Sequence, residues 1–137
     1  MTTRDFAKKS GLLIVLLLMT TITINAQQLS DLSLMANDGT FLGTFENEYA
    51  LNSIFNDNGM YGSKYSITSI FNRNAQYGSE YSLYSPFNPY ATKPPIIVDK
   101  QGNSYGKLSL NRYAQGVTNE SYQLALKLKA RWNALNK

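Results

Sequence analysis

The chain has 137 residues, 13 basic and 9 acidic, with a net charge of +4, and its length fits one domain of the usual 100–200 residues or so. It contains no cysteine and no histidine, which excludes disulfides, acylation at a cysteine, zinc sites of the Cys/His kind and catalysis by imidazole or thiolate. Without Arg4, Lys8, Lys9 and Asp5 at the extreme N-terminus, 10 basic residues stand against 8 acidic ones, a balance too small and too dispersed for a nucleic-acid-binding surface.

The first element is an export signal. Arg4, Lys8 and Lys9 form a positive n-region, Gly11 to Met19 an apolar h-region, and a Thr-rich stretch leads to Asn25 and Ala26. Cleavage after the small Ala26 makes residues 1–26 a signal peptide and 27–137 a single secreted domain. The Thr- and Asn-rich second half of this run is poorly suited to a spanning helix, which needs about 20 predominantly apolar residues. The expected address is secreted or periplasmic, without stable membrane insertion after cleavage.

Next, residues 37–48 carry a strand and a turn: Asn37-Asp38-Gly39 is a turn signal, and Thr40 to Phe45 follow with alternating apolar positions. Residues 49–95 then hold three units at a spacing of sixteen. Tyr49, Tyr65 and Tyr81 open the units. Ser53-Ile54-Phe55-Asn56, Ser69-Ile70-Phe71-Asn72 and Ser85-Pro86-Phe87-Asn88 occupy the same offset, and Tyr-Gly-Ser recurs at 61–63 and 77–79. Such self-similarity marks a repeat architecture. Each unit reads as one short helical turn capped by a serine, followed by a tight turn. The glycine of Tyr-Gly-Ser is expected to supply positive φ, and Tyr61, Tyr65, Tyr77 and Tyr81 to pack between units.

Pro94 and Pro95 force an extended exit. Residues 96–110 read as a β-hairpin, with a β-branched run at Ile96-Ile97-Val98, a turn around Gly102 and a second alternating run. Asn47-x-Tyr49-Ala50 returns as Asn111-x-Tyr113-Ala114, so the motif restarts after the hairpin. Finally, residues 119–136 form an amphipathic helix. Leu124, Leu128, Trp132 and Leu135 make its apolar stripe, which is expected to dock on the hairpin. The fold class is thus small α+β, with irregular sixteen-residue repeats of short helical turns and tight turns, one hairpin and one C-terminal helix.

The motif string from Phe41 to Tyr113, more than half the mature chain, resembles a family of uncharacterised secreted bacterial proteins with Tyr-Gly-Ser-x-Tyr-Ser-x-x-Ser-Ile-x-Asn repeats. Members of that family commonly read Ser-Pro-Asp-Ser-Ile where this chain has Ser66-Ile67-Thr68-Ser69-Ile70. The resemblance implies an exported address and a repeat architecture, and it brings no catalytic residue with it.

Candidate chemistry is sparse. Glu46 and Glu48 offer a carboxylate pair of glycosidase type, against the commoner reading of a solvated strand face. Asn56-Asp57-Asn58-Gly59 has the look of part of a calcium loop but lacks spaced ligands and a distal Glu; a β-turn accounts for the same residues. The serines have no activating base. No catalytic, cofactor-binding or metal-ligating residue is therefore expected. The leading expectation is a non-catalytic secreted interaction or structural module. Its Tyr/Ser/Asn/Gly composition suits adaptable binding, with an unknown protein or a cell-envelope glycan as partner. The alternative is a small cell-envelope hydrolase or hydrolase inhibitor using carboxylates.

Overall fold

The computed structural model describes residues 26–137. The expected signal peptide lies outside the described residues except for Ala26, which opens a short helix, α1 (Ala26–Ser30). Two hairpins supply the sheet. The Asn37-Asp38-Gly39 turn joins β1 (Ser33–Met35) to β2 (Phe41–Thr44), and the turn at 99–103 joins β3 (Ile96–Val98) to β4 (Ser104–Lys107). The two turns are built alike. Asp38 accepts the Thr40 N–H at 3.0 Å and Asp99 the Gln101 N–H at 2.9 Å, while Gly39 and Gly102 adopt positive φ. β1 pairs antiparallel with β3 and fuses the hairpins into one sheet of order β2-β1-β3-β4. Leu34, Leu42 and Ile97 fill its covered face, each 1% exposed or less. With the C-terminal helix α2 (Asn119–Leu135), this is a small α+β protein.

The chain between β2 and β3 is built from turns, and none of residues 45–95 is helical. Backbone N–H groups bond three residues back in sequence. Ala50 bonds to Asn47, Ser53 to Ala50, Asn56 to Ser53 and Gly59 to Asn56, after which Ser63 bonds four residues back to Gly59. Ser66, Ser69, Asn72, Ala75 and Ser79 then repeat that series. Four steps of three and one of four make sixteen, the spacing of the units in the sequence. Small residues stand at the corners because their side chains bond locally. Ser53, Ser69 and Ser85 accept the N–H of Phe55, Phe71 and Phe87 at 3.0–3.1 Å. Asn56, Asn72 and Asn88 each accept an N–H two residues on and donate to a carbonyl six residues back. The expected capped helical turn is in fact a run of such β-turns. The serine closes a turn where it was expected to start a helix.

Two further expectations are corrected. Gly62 and Gly78 are not among the glycines at positive φ; they are needed because a Cβ would lie 2.1 Å from the Asn56 carbonyl oxygen and 2.3 Å from that of Asn72. The tyrosines also divide. Tyr77 is buried and Tyr61 partly so, but Tyr65 and Tyr81 are 80% and 91% exposed. The interior of the turns belongs to Ile54, Ile70, Phe71 and Phe87, with the Phe71 and Phe87 rings tilted against each other at 6.2 Å.

Helix α2 begins with a reciprocal cap. Thr118 Oγ1 accepts the Ser121 N–H and Ser121 Oγ accepts the Thr118 N–H. Its buried face is Ser121, Ala125, Leu128 and Trp132, with Leu124 and Leu135 partly buried beside it. Docking extends beyond the hairpin. The start of the helix rests against Gly106 of β4, but its C-terminal half lies across the turns. Arg131 donates to the Phe55 carbonyl at 3.1 Å, Asn136, just past the last turn, to that of Phe71 at 2.9 Å, and Trp132 Nε1 to that of Gly78 at 2.8 Å. Trp132 meets Phe87 at 6.2 Å, and the Arg131 guanidinium sits 5.6 Å from the Phe55 ring and 5.5 Å from Phe71. The helix thus reaches one phenylalanine of each unit and satisfies carbonyls that the turns leave open.

Candidate functional site

Among the described residues, six of the ten exposed large apolar side chains fall at two neighbouring offsets of the sixteen-residue period. Tyr49, Tyr65 and Tyr81 are 85%, 80% and 91% exposed, and the residue two positions on in each unit, Leu51, Ile67 and Leu83, is exposed as well. Asn47, Ser63 and Ser79 each accept the N–H of the tyrosine two residues on, a turn bond that the inward-facing Phe55, Phe71 and Phe87 also make. Tyr90 and Tyr113 follow Asn88 and Asn111 in the same way and are 85% and 88% exposed.

Two open clefts flank these rings, and they occupy equivalent positions in successive units. The first, about 430 Å³, is lined by Glu48, Tyr49, Phe55, Asn56, Asp57 and Asn58. The second, about 370 Å³, is lined by Lys64, Tyr65, Asn72, Arg73 and Asn74 together with Asn136 and Lys137. Their charges are opposite: Glu48 and Asp57 in one cleft are replaced by Lys64 and Arg73 in the other. Asp57 is also held by Arg131 at 2.5 Å, whereas Lys64 lies 5.3 Å over the Tyr65 ring.

The carboxylate pair suggested by the sequence is divided between two surface depressions. Glu46 and Glu48 are both exposed, and each lines a different depression, Glu46 with Asp31, Thr44 and Lys100 and Glu48 with Tyr49. Asn56-Asp57-Asn58-Gly59 is a β-turn closed by Gly59 N–H on the Asn56 carbonyl, and its Asn56 side chain is engaged with Ala50 and Asn58. Among the described residues no group of three or more Asp, Glu, His or Cys could hold a metal ion.

Two carboxylates have perturbed acidity. The Tyr77 hydroxyl donates to Asp38 at 2.6 Å and, with the Thr40 N–H, holds the Asp38 carboxyl below its usual range. Burial, together with that carboxylate, pushes the Tyr77 hydroxyl upward. Asn103 does most to lower Asp99, and the Tyr105 hydroxyl adds to it. Both pairs brace hairpin turns: Tyr77 ties the middle unit to the β1–β2 turn, and Tyr105 ties β4 to its own. The outward tyrosines were missed in the sequence because all ten tyrosines look alike there. Position after a turn-forming Ser or Asn does not separate them, since Tyr84 follows Ser82 in the same way and is half-buried.

The fold and its exposed surface define a small α+β protein with a four-stranded antiparallel sheet and a C-terminal helix. Compared with known protein families, curated proteins and solved structures, the chain gives no match. Among the described residues no helix is long and apolar enough to cross a membrane.

Proposed function

We propose that this chain is an exported, non-catalytic interaction module whose sixteen-residue units stack as repeats and present Tyr49, Tyr65 and Tyr81 as a contact ladder. The observation that carries this reading is the repeated exposure of a tyrosine and an aliphatic residue at two neighbouring offsets in all three units. Rings exposed to this degree do not contribute to the core, and a folded monomer gains nothing from exposing them. Tyrosine is also a residue of choice at interfaces, offering a large amphipathic area with little entropy to lose. The stacking reading is supported by the Phe71 and Phe87 rings 6.2 Å apart and by Arg131 within 5.6 Å of both the Phe55 and the Phe71 ring.

The test is a binding panel of cell-envelope polymer, purified glycans and the protein itself. It uses wild type and a Tyr49→Ser/Tyr65→Ser/Tyr81→Ser variant whose unfolding is checked first. Saturable, turnover-free binding to any member that the triple variant loses is the expected result. Binding unchanged in the variant would remove the ladder from the interface. Intact mass of the exported protein checks the address, with the mature chain expected to begin at Gln27.

A further inference from the structure

We propose that the ladder's partner is a second copy of this chain, joined as a two-fold symmetric dimer in which the acidic Tyr49 cleft of each protomer faces the basic Tyr65 cleft of the other. This rests on the ladder reading above and names its occupant.

The first argument is charge. The position before the ladder tyrosine is Glu48 in one unit and Lys64 in the next, and the position eight residues beyond it is Asp57 and then Arg73. A two-fold axis passing between these units brings unlike clefts together twice, because a contact of the first cleft with the second is automatically reciprocated. Like clefts facing each other would instead oppose equal charges. Asp57 already bonds to Arg131, so Glu48 and Lys64 carry the complementarity.

The second argument concerns the polar groups between the rings. Asn56 and Asn72 each use their side-chain oxygen and amide nitrogen on the backbone of their own turns, and Ser63 and Ser79 accept N–H groups of the ladder tyrosines. A sugar polymer needs many free donors and acceptors beside the stacking rings, whereas a protein surface of matching shape and charge needs few. At roughly 150–250 Å² for each buried aromatic ring, Tyr49 and Tyr65 with Leu51 and Ile67 supply more than half of the about 800 Å² per partner of a standard interface.

The experiment is sedimentation equilibrium on protein purified from the full-length chain, from about 1 to 100 µM, because interfaces of this size bind at micromolar affinity or tighter. Wild type is expected to show a monomer–dimer equilibrium. Glu48→Lys and Lys64→Glu, both at the surface, should each weaken it by roughly tenfold, since two attractive pairs become repulsive. Mixing the two single variants should restore association, because their heterodimer regains both pairs. The Glu48→Lys/Lys64→Glu double variant should dimerise like wild type. A monomer throughout the range, or a dimer indifferent to both reversals, would overturn the proposal. If that monomer still binds a glycan through Tyr49, Tyr65 and Tyr81, the ladder stands and only self-association falls; if it binds nothing, both fall.

Discussion

Replacing Gly78 by alanine tests the turn geometry most directly. Gly78 has an ordinary negative φ, and in such a backbone Gly→Ala normally stabilises by about 0.4–1 kcal/mol by restricting the unfolded chain. Here the added Cβ would lie 2.3 Å from the Asn72 carbonyl oxygen and 2.7 Å from that of Ile70. Both are backbone atoms of the same unit, so no side chain can swing aside. The Asn72 carbonyl also closes the turn to Ala75, and the Gly78 carbonyl receives Trp132 Nε1, so a shift here disturbs a turn and the helix seat together. The overpacking cost of about 1–3 kcal/mol, with part of a hydrogen bond at about 1 kcal/mol and less the unfolded-state gain, gives a net loss of about 1–3 kcal/mol. For a domain of this size that lowers the midpoint by several degrees or more. Gly102→Ala is the control. It has φ of 87° and nothing within 4 Å of the new Cβ, so it should lose only about 1–2 kcal/mol from the left-handed backbone. Asparagine, which tolerates that conformation, should recover part of this at 102 but none at 78. Urea unfolding followed by Trp132 fluorescence measures all four variants. Gly78→Ala at or above wild-type stability would refute the close-approach argument.

The remaining predictions concern the anchors. Trp132, 6% exposed, should emit in the blue in buffer, ignore anionic vesicles and shift red cooperatively on unfolding; Trp132→Phe should cost about 1–2 kcal/mol through the orphaned Gly78 carbonyl. Tyr77→Ser should destabilise by roughly 2–4 kcal/mol, as large-to-small core changes do, while the exposed Tyr81→Ser should be near neutral in the same urea titration. Because the Asp38 carboxyl is lowered in the fold, its contribution is present above the unfolded carboxyl range and is lost as pH falls through the folded value. Because the Tyr77 hydroxyl is raised, its contribution is present below the unfolded phenol range and is lost as pH climbs through the folded value. Tyr77→Phe should therefore flatten both the acid and the alkaline limbs of the stability–pH curve; unchanged limbs would detach the pair from folding. Arg131→Lys should lose most of what Arg131→Ala loses, because a lysine's single ammonium cannot keep the guanidinium's contacts with both rings and also reach the Phe55 carbonyl and Asp57; differential scanning calorimetry would rank the two.

The elements legible in the sequence were those whose pattern is local. Asp99 to Asn103 announced the β3–β4 turn, and Thr118 ahead of a helical stripe announced α2. Strand β1 was not legible, since three residues are too few to show alternation and its pairing with β3 bridges some sixty residues. The period of sixteen was plain, but its physical meaning was not. Serine before Ile-Phe serves equally as a helix cap or as the corner of a β-turn, and only the hydrogen bonds decide between them. Here each corner side chain bonds the N–H two residues ahead, so the backbone turns again before a helix can propagate. That choice leaves carbonyls unpaired at Phe55, Phe71 and Gly78, and the C-terminal helix supplies the donors from Arg131, Asn136 and Trp132. An amphipathic stripe reveals that a helix docks but not on what. The tail's polar groups were the better guide to the docking surface, because a segment built of turns offers its partner carbonyl oxygens as well as apolar area.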